Sequence, residues 1–453
     1  MNAPDLLAVI DLALESVARA GADAADCVLV ESDSVEARVR DAEIDFVKQA
    51  RERTLGIRAL VGGDRGKSSA ITSTSDLSEA AVTRMASETV ALARATAVDP
   101  SAGIPEDGFA TDDPDLALYH EADRDVSVEA RIEDARRAEA AARAVDPRIA
   151  NSEGSAVGSD YSTIAIGNHA GFRGSYRSSS HSLFSEPLAH QNGSMQRDYW
   201  YTTARKLSDL ESPDAVGRRA GERAIRRLGA SRLSTCEAPV IFDPVTAPSL
   251  LGHIASCITG YAIYRESSFL AGRLGEQVAS DLVTLIDDGR LPGGLGSKPF
   301  DGEGQPTRRT VAIDRGKLAS YLLDSYSARK LGMQTTGSAA RSAGSPPSVG
   351  TTNFWLEPGD ASLEEIIADT GRGLLVTELI GMGFNPVTGD YSRGAAGLWI
   401  ENGAISHPVE EITIAGSFGD MLTNIDAVGS DLLWRGRTAA PSVRISNMTI
   451  AGE

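Results

Sequence analysis

The chain has 453 residues, an ordinary apolar content of 42% and a formal charge of -19. This length predicts two or three domains with sizeable cores, and the composition predicts a soluble globular protein rather than a disordered one. Affinity for nucleic acid comes largely from lysine and arginine contacts with phosphates, so the acidity disfavours nucleic acid as a partner.

Cysteine usage and the first residues predict the compartment. Three scattered cysteines, Cys27, Cys236 and Cys257, are too few for a disulfide framework. Asp5 and Asp11 interrupt the apolar pattern at the start of the chain, which excludes the apolar core of a signal peptide. No other apolar run is long enough to span a membrane. We therefore expect a cytoplasmic protein with reduced cysteines and no membrane association.

The first predicted element is a helix with apolar residues at helical spacing and Gly21 at its C-terminal cap. Asp76 and Glu79 form a predicted capping box for a second helix that ends near Ala97. A helix, a meander and another helix make a compact α+β unit. The strand-like segments of the meander are Cys27–Glu31, Val35–Arg40, Ile44–Lys48 and Thr54–Val61.

The segment GGDRGKSS, which begins at Gly62, resembles the end of a phosphate-binding loop. That motif needs another glycine at the position of Val61, and it must open a helix. Here the segment joins two predicted strands. We interpret it as a hairpin turn and not as a nucleotide site.

Residues 98–116 are rich in Pro, Gly and Asp and form the predicted linker. A helix from about Ser127 to Val145, a second meander and a short basic helix, Val216–Leu228, follow. The serine and tyrosine content of this meander suits a sheet with one solvated face. Its predicted strands are Tyr161–Ile166, Gly171–Arg177, Ser182–Ser185 and Tyr199–Arg205, with Asn192-Gly193 as one turn.

The last part of the chain predicts a larger mixed unit with a largely antiparallel sheet. Ser362 and Glu365 are placed to form a capping box for its last helix. Its predicted elements are a strand Ala238–Asp243, a helix from about Thr246 to Arg265, a strand Leu282–Asp287, a hairpin of Val311–Ile313 with Lys317–Leu323, a helix from Leu363 to about Thr370 and a strand Val443–Ile450. The predicted fold class is α+β, with antiparallel meanders packed against helices. The predicted domains are residues 1–100, residues 101–232 including the linker, and residues 233–453.

The stretch 383–416 reads as a loop followed by a hairpin, in which Asn402-Gly403 supplies a type I′ turn. The polar segment before the hairpin holds Asp390, Tyr391 and Arg393, which are candidate contact residues because recognition residues often lie on such loops. The alternative is a surface loop with no role.

The run NPVTGDYSRGAAGLWIENG, from Asn385 to Gly403, resembles the C-terminal signature of the PmbA/TldE proteins, one half of the TldD/PmbA family. Further segments resemble the family in family order and cover most of the chain after about residue 150. They are NGSMQRDYWY at Asn192–Tyr201, FLAGRLGEQVAS at Phe269–Ser280, LVTLIDDG at Leu282–Gly289, FDGEGQPTRR at Phe300–Arg309 and SYSARKLGM at Ser325–Met333.

The resemblance implies a cytoplasmic zinc peptidase of two related subunits, in which the TldD-like subunit carries HExxxH and a cysteine ligand near its C-terminus. The two histidines would hold zinc and the glutamate would act as general base. Counting back from Phe269 without gaps, the histidine positions fall on Leu250 and Ala255 and the glutamate position on Leu251. None of these side chains can bind metal or move a proton, so we expect no cofactor in this chain and zinc in its partner.

The rest of the sequence offers only weak alternatives for a metal or catalytic site. His120-Glu121 lacks a second histidine, and no cysteine follows Cys257. His253 and Cys257 would share a helical face, but two ligands make a poor metal site and a core position explains both. The carboxylate pairs Asp287-Asp288 and Asp301 with Glu303 lie beside glycine-containing turns, and turn chemistry explains them better than calcium binding.

The resemblance therefore implies a non-catalytic PmbA/TldE-type subunit that joins a TldD-like subunit and acts on peptides or unfolded protein segments. It leaves open a homodimer when the chain is alone. Arg329, Asp390, Tyr391 and Arg393 are the candidate peptide-groove or partner-interface residues, each of which could equally be structural. Two other hypotheses stay open: a stand-alone regulatory protein of the gyrase-modulator type, and an independent hydrolase with an unrecognised site.

Overall fold

The computed structural model describes residues 5–63, 65–112 and 114–452. Its first half forms an antiparallel seven-stranded sheet of order β3-β2-β1-β4-β5-β6, with β7 paired to β5. The strands are β1 (Ala24–Arg40), β2 (Glu43–Gly63), β3 (Gly66–Thr74), β4 (Asn151–Asn168), β5 (Arg173–Gln191), β6 (Ser194–Arg197) and β7 (Trp200–Ala204). The helices are α1 (Leu6–Arg19), α2 (Glu79–Arg94), α3 (Val128–Arg143) and α4 (Pro213–Ile225), with short 3₁₀ helices at Glu121–Asp125 and Leu207–Asp209.

The predicted α+β class is confirmed, but the strands are longer than the sequence suggested. The two predicted pieces on either side of Ser32–Ser34 are one strand, and the same holds for the two pieces of β2. The polar residues Ser32–Ser34 read as a break, yet they pair with Asp160–Ser162 of β4. A partner strand that supplies backbone hydrogen bonds therefore overrides the local turn preference.

Strands β1 and β4 pair from Asp26 to Val39, so the two predicted meanders share one sheet across the linker. The domain boundaries near residues 100 and 232 stay predictions. The linker runs between α2 and the first 3₁₀ helix without helix or strand, and its Asp113 lies outside the described residues. The predicted hairpin turn lies between β2 and β3, where Gly63 pairs with Gly66, and Asp64 lies outside the described residues.

One face of this sheet is covered by helices. Helices α1 and α2 pack over β1 and β2, and α3 and α4 pack over β4 and β5. The pair α3 and α4 crosses closely at Gly217, where a Cβ atom would stand 1.9 Å from the carbonyl oxygen of Ala138. The opposite face is left to the C-terminal region, which meets it through Phe300 and Ala343.

The C-terminal region contains a six-stranded sheet of order β17-β16-β15-β8-β20-β18, which an added β17–β20 pairing closes into a ring. A five-stranded sheet of order β11-β10-β9-β14-β19 and the pair β12-β13 complete it. The strands are β8 (Cys236–Phe242), β9 (Leu285–Asp288), β10 (Arg309–Asp314), β11 (Lys317–Leu318), β12 (Ala339–Ala340), β13 (Ser348–Val349), β14 (Asn353–Leu356), β15 (Arg372–Ile380), β16 (Asp390–Glu401), β17 (Ala404–Ser417), β18 (Ile425–Val428), β19 (Thr438–Ala439) and β20 (Val443–Ala451). The helices are α5 (Pro248–Cys257), α6 (Gly260–Tyr264), α7 (Ser325–Leu331), α8 (Leu363–Thr370) and α9 (Phe418–Thr423).

Local sequence signals along the whole chain succeed in part. The Asn402-Gly403 turn is confirmed, with φ values of 52° and 73°, and so is the capping box of α8. The predicted box at Asp76 is wrong, because Ser78 is the N-cap of α2. The single helix predicted from Thr246 is also wrong. It breaks after α5 because Thr259 starts α6 with its own cap.

None of the helices within residues 5–63, 65–112 and 114–452 is long and apolar enough to cross a membrane.

Candidate functional site

The three positions where the family resemblance would place zinc chemistry all lie on α5. Leu250 and Leu251 are each 2% exposed and pack in the main core of the C-terminal region, and Ala255 packs against the same core. The described ranges contain no group of three or more His, Cys, Asp or Glu that could hold a metal ion. The residues present do not fit zinc, and α5 serves as a packing helix.

His253 and Cys257, also on α5, lie in an apolar environment. The His253 ring contacts Phe384 and Phe418, with ring centroids 4.4 and 5.7 Å apart. Burial and, second, the charge of Arg393 lower the pKa of His253 to about 4. Burial raises the pKa of Cys257 to about 11. The imidazole is therefore neutral and the thiol protonated near pH 7, which supports the core interpretation.

Two of the carboxylates, Asp288 and Asp301, serve as turn chemistry, as the sequence predicted. The other two, Asp287 and Glu303, accept instead from the N–H groups of distant residues. Asp301 Oδ1 accepts hydrogen bonds from the backbone N–H groups of Glu303 and Gln305, at 2.9 and 3.0 Å. Asp288 accepts from the N–H of Arg290, and Asp287 accepts from the N–H of Thr352. These carboxylates organise loops of the chain itself.

The four candidate contact residues do not form one site. Arg329 on α7 holds the linker, because its guanidinium donates to the carbonyls of Ser101 and Gly103 at 2.9 and 3.1 Å. Arg393 lies elsewhere and lines a pocket of about 270 Å³ with Asp198. The two arginines line different pockets.

Two expectations about the segment before the hairpin need correction. It is not a loop from Asp390 onward, because β16 begins there. Asp390 is exposed and accepts a hydrogen bond from the Thr388 hydroxyl at 2.5 Å. Tyr391 is not a contact residue, because it is 2% exposed and stacks on Phe418. Burial raises the pKa of Tyr391 to about 12.

Ser159, His181 and Asp123 have the hydrogen-bond connections of a catalytic triad. His181 Nδ1 lies 2.8 Å from Ser159 Oγ, and His181 Nε2 lies 3.2 Å from Asp123 Oδ2. However, Ser159 is 5% exposed and its Oγ also accepts from Arg131 of α3, so it lies on the helix-covered face of the sheet. Ser159 and His181 are both buried, and we interpret the three residues as a buried structural network.

A cleft of about 920 Å³ lies between the open face of the seven-stranded sheet and loops of the C-terminal region. Serines at alternating positions, Ser178, Ser180 and Ser182, line it from β5. The sequence signalled only a solvated sheet face here. The cleft itself could not be predicted, because its charged lining comes from distant segments: Glu36, Arg38, Lys48, Asp160, Arg205, Lys298, Arg435 and Arg437.

Comparison with known proteins identifies the chain's relatives. The PmbA/TldA metallopeptidase domain 1 matches residues 25–93, the central domain matches residues 121–228 and the C-terminal domain matches residues 235–452. Metalloprotease PmbA from Escherichia coli O157:H7 is 41% identical over 445 residues, which cover 98% of this chain and 95% of that protein. These matches define a chain of the metallopeptidase class in three consecutive segments.

Solved structures support the same assignment. A proposed modulator of DNA gyrase from Bacteroides thetaiotaomicron has a TM-score of 0.91 and 27% identity, and the match covers 100% of both chains. TldE from Thermococcus kodakarensis has a TM-score of 0.87, and the match covers 98% of this chain and 100% of that one. Because the two sequences are only 24% identical, this likeness supports the fold and nothing further. The chain belongs to the PmbA/TldD metallopeptidase family.

Proposed function

We propose that this chain is a non-catalytic PmbA/TldE-type subunit. It pairs with a TldD-like zinc subunit in a cytoplasmic, heterodimeric metallopeptidase that degrades or processes peptides or unfolded segments. The observation that carries the proposal is the apolar trio Leu250, Leu251 and Ala255 at the positions where the family resemblance would place zinc chemistry. The chain matches all three family domains, at residues 25–93, 121–228 and 235–452.

The burial of α5 supports this division of labour between subunits. Leu250, Leu251 and Ile254 are each 2% exposed, so the helix has become part of the core rather than the wall of an active site. A histidine at a buried position would need a hydrogen-bond partner or a metal to offset desolvation. The zinc and the proton transfer therefore belong to the partner.

An exposed strand edge supports a role in holding a partner or an extended peptide. Strand β3 pairs with β2 only from Leu55 onward, which leaves residues 43–54 of β2 without a second neighbouring strand among the residues that the structure describes. Ile44 and Val47 on this part are 48% and 42% exposed. An edge of this kind offers backbone hydrogen bonds to an added strand.

The isolated chain should bind no stoichiometric zinc and cleave no peptide, whereas a mixture with a TldD-like chain from the same genome should cleave unfolded polypeptide. The physical reason is that neither leucine nor alanine can ligate zinc or activate water. Metal analysis after zinc incubation and a fluorescent casein assay measure the two outcomes.

The matched control replaces the glutamate of the partner's HExxxH by glutamine, which should abolish cleavage by the mixture while the two chains still co-purify. Cleavage by the isolated chain that resists a chelator would contradict the proposal and favour an independent hydrolase.

Arg393→Ala should weaken the peptidase activity of the reconstituted pair and leave the fold intact. An arginine fork can hold a carboxylate or backbone carbonyls of a partner, and losing such a contact costs about 1–2 kcal/mol, or about tenfold in affinity. Its Nε has no hydrogen-bond partner among the described residues, so truncation should change stability by less than about 1 kcal/mol.

The pair's dissociation constant and peptidase rate are measured beside the melting temperature. Arg393→Lys, which keeps the charge but not the fork, is the control. A large fall in melting temperature with unchanged pairing would mean that Arg393 is structural.

The second candidate function is a stand-alone regulatory protein of the gyrase-modulator type. The description of the Bacteroides structure favours it. With a charge of -19, such a protein would act through a protein partner rather than through DNA. Failure of any TldD-like chain to co-purify from the native host would favour this function over the first.

A further inference from the structure

The outer part of β2 presents an unpaired strand edge of limited length. Strand β3 fills the place beside β2 from Leu55 to Gly63, and no other strand or isolated bridge among the described residues pairs with residues 43–54 on that side. Alternate residues of a strand turn their N–H and C=O groups to opposite sides, so about half of these backbone groups have no strand partner. The edge is therefore closed at one end by β3 and open along the rest of its length.

Residues 46–54 form the regular part of this edge. The ladder with β1 shifts register between Arg38 and Val39, whose partners are Phe46 and Ile44, so Asp45 lies in a bulge. From Phe46 onward each residue has its own partner on β1. Because a bulge interrupts pairing, an added strand would pair with residues 46–54.

The position of β3 favours a free peptide over a second copy of this chain. Antiparallel self-pairing of residues 46–54 would bring residues 43–45 of the second copy beside residues 55–57, where β3 already stands. A peptide can end at that point, whereas the β2 strand of a second copy continues. The edge therefore has the shape of a slot for a short extended segment.

This slot presents cations to an added strand. Its regular part carries three exposed cations, Lys48, Arg51 and Arg53, and one exposed carboxylate, Glu52. The carboxylates that balance these cations stand on β1, one strand further from the edge. The pairs in register are Glu31 with Arg53, Asp33 with Arg51 and Glu36 with Lys48, and among the described residues only Asp33 and Arg51 form an ion pair, at 3.5 Å.

The order of charges favours acidic side chains on an added strand. Neighbouring strands lie ~4.8 Å apart, so side chains of the added strand would be nearer to the cations of β2 than to the carboxylates of β1. Coulomb attraction falls with distance, and the nearer charges prevail. Opposite charges on neighbouring strands stabilise the pairing, whereas like charges oppose it.

Each face beside the edge also has room for side chains. Lys48 borders the cleft of about 920 Å³ on the open face of the sheet. On the helix-covered face, Gln49 and Arg51 border a pocket of about 370 Å³, whose walls include Val126 and Tyr161. Because side chains alternate between the faces of a strand, an added strand would direct every second side chain toward this partly apolar pocket.

We propose that the edge of β2 binds an extended acidic peptide as an added strand. Backbone pairing with residues 46–54 would supply the affinity, Lys48 and Arg51 the preference for acidic side chains, and the pocket beside Gln49 the room for an apolar side chain. The inference rests on the proposed function for its choice of a peptide as ligand. It assigns this binding edge to the present chain and not to the catalytic partner.

The test measures binding of fluorescein-labelled eight-residue peptides to the isolated chain at low salt by anisotropy. The parent peptide alternates glutamate with valine, a second peptide replaces glutamate by glutamine, and a third replaces it by lysine. Either register places the glutamates opposite Lys48 or opposite Arg51 and Arg53. We expect the glutamate peptide to bind at least about threefold more tightly than the glutamine peptide, and the lysine peptide to bind most weakly.

Backbone methylation tests the strand pairing itself. Two further glutamate–valine peptides carry N-methyl groups on all valines or on all glutamates. Because only alternate residues turn their N–H groups toward β2, methylation of one set should abolish binding and methylation of the other set should be tolerated.

A triple variant, Lys48→Gln with Arg51→Gln and Arg53→Gln, locates the site. All three side chains are exposed, so the fold should be kept. The ratio of the affinities for the glutamate and glutamine peptides should fall to about one. Arg218→Gln on the exposed side of α4 should leave this ratio unchanged. Because a general loss of binding cancels in the ratio, structural damage would not imitate the expected result.

The proposal would be overturned by an absence of binding, by equal loss of binding on methylation of either set, or by a charge preference that survives the triple variant. Sedimentation of the chain as a dimer that the triple variant dissociates would assign the edge to a second copy instead. The assay uses no partner and no cleavage, so it can fail while the mixture of the two chains remains a peptidase. It can equally succeed if no TldD-like partner is found, which separates this inference from the proposed function.

Discussion

Arg223→Met should lower the free energy of unfolding by about 3–5 kcal/mol. The side chain of Arg223 on α4 is 7% exposed and lies 3.1 Å from a carboxylate oxygen of Asp198 and 3.5 Å from one of Asp243. Its Nη2 also donates to the carbonyl of Thr377. The arginine thus joins α4 to the end of β8 and to the middle of β15, that is, the helix layer to the C-terminal region.

The electrostatic balance explains the size of this effect. Burial opposes the charge of Arg223, but Asp198 and Asp243 outweigh burial and raise the pKa of the guanidinium. Asp198 and Asp243 are themselves 4% and 5% exposed. Methionine would keep most of the volume and leave these two buried carboxylates without the arginine, and unpaired buried charges are what make such losses large.

Chemical unfolding of Arg223→Met beside Arg218→Met measures this loss. Arg218 is an exposed arginine on the same helix, so its replacement should change the free energy by no more than about 0.5 kcal/mol. Adding Asp198→Asn to Arg223→Met should recover part of the loss, because it removes one buried charge that would then have only Arg226, at 4.0 Å, to balance it. Unfolding midpoints that coincide for the two methionine variants would show that the buried cluster does not join the regions as we infer.

Short-range sequence signals predicted the elements whose geometry is local. The Asn402-Gly403 turn and the capping box of Ser362 and Glu365 depend on residues within four positions of one another, and both are present. The helical position of Leu250 and Leu251 also followed from local periodicity. Such signals need no knowledge of what packs against the element.

Features that depend on distant partners could not be predicted. Ser32–Ser34 look like a turn, but pairing with β4 more than a hundred residues later makes them strand. Tyr391 looks like a surface contact, but Phe418 covers its ring. The cleft draws its charges from segments between residue 36 and residue 437, so no window of sequence contains it.

Glu303→Gln should remove a fall in stability that the wild-type chain shows as the pH rises. Glu303 is 4% exposed, and its Oε2 accepts a hydrogen bond from the N–H of Ser325 at 2.8 Å. Burial and, second, the neighbouring carboxylate of Asp301 raise the pKa of Glu303 to about 7, against the opposing charge of Arg58. Glutamine keeps the size and the accepting oxygen but cannot ionise.

The direction follows from proton binding in the two states. An unfolded glutamate loses its proton near pH ~4.3, whereas folded Glu303 keeps it until about pH 7. Between these values the folded chain binds more protons, so its stability falls with rising pH. Relative to their difference below pH ~4, where Glu303 is protonated in both states, the glutamine variant should gain about 1 kcal/mol at pH 5 and on the order of 3 kcal/mol at pH 8. Denaturant unfolding at both pH values measures these free energies. The control is Glu106→Gln at an exposed position, which should have the stability of the wild type at both pH values.

The difference in unfolding free energy between Glu303→Gln and the wild type would contradict the prediction if it were the same at pH 5 and pH 8. The Glu303 carboxylate would then already be ionised in the folded chain at pH 5, and its burial would carry no penalty over this range.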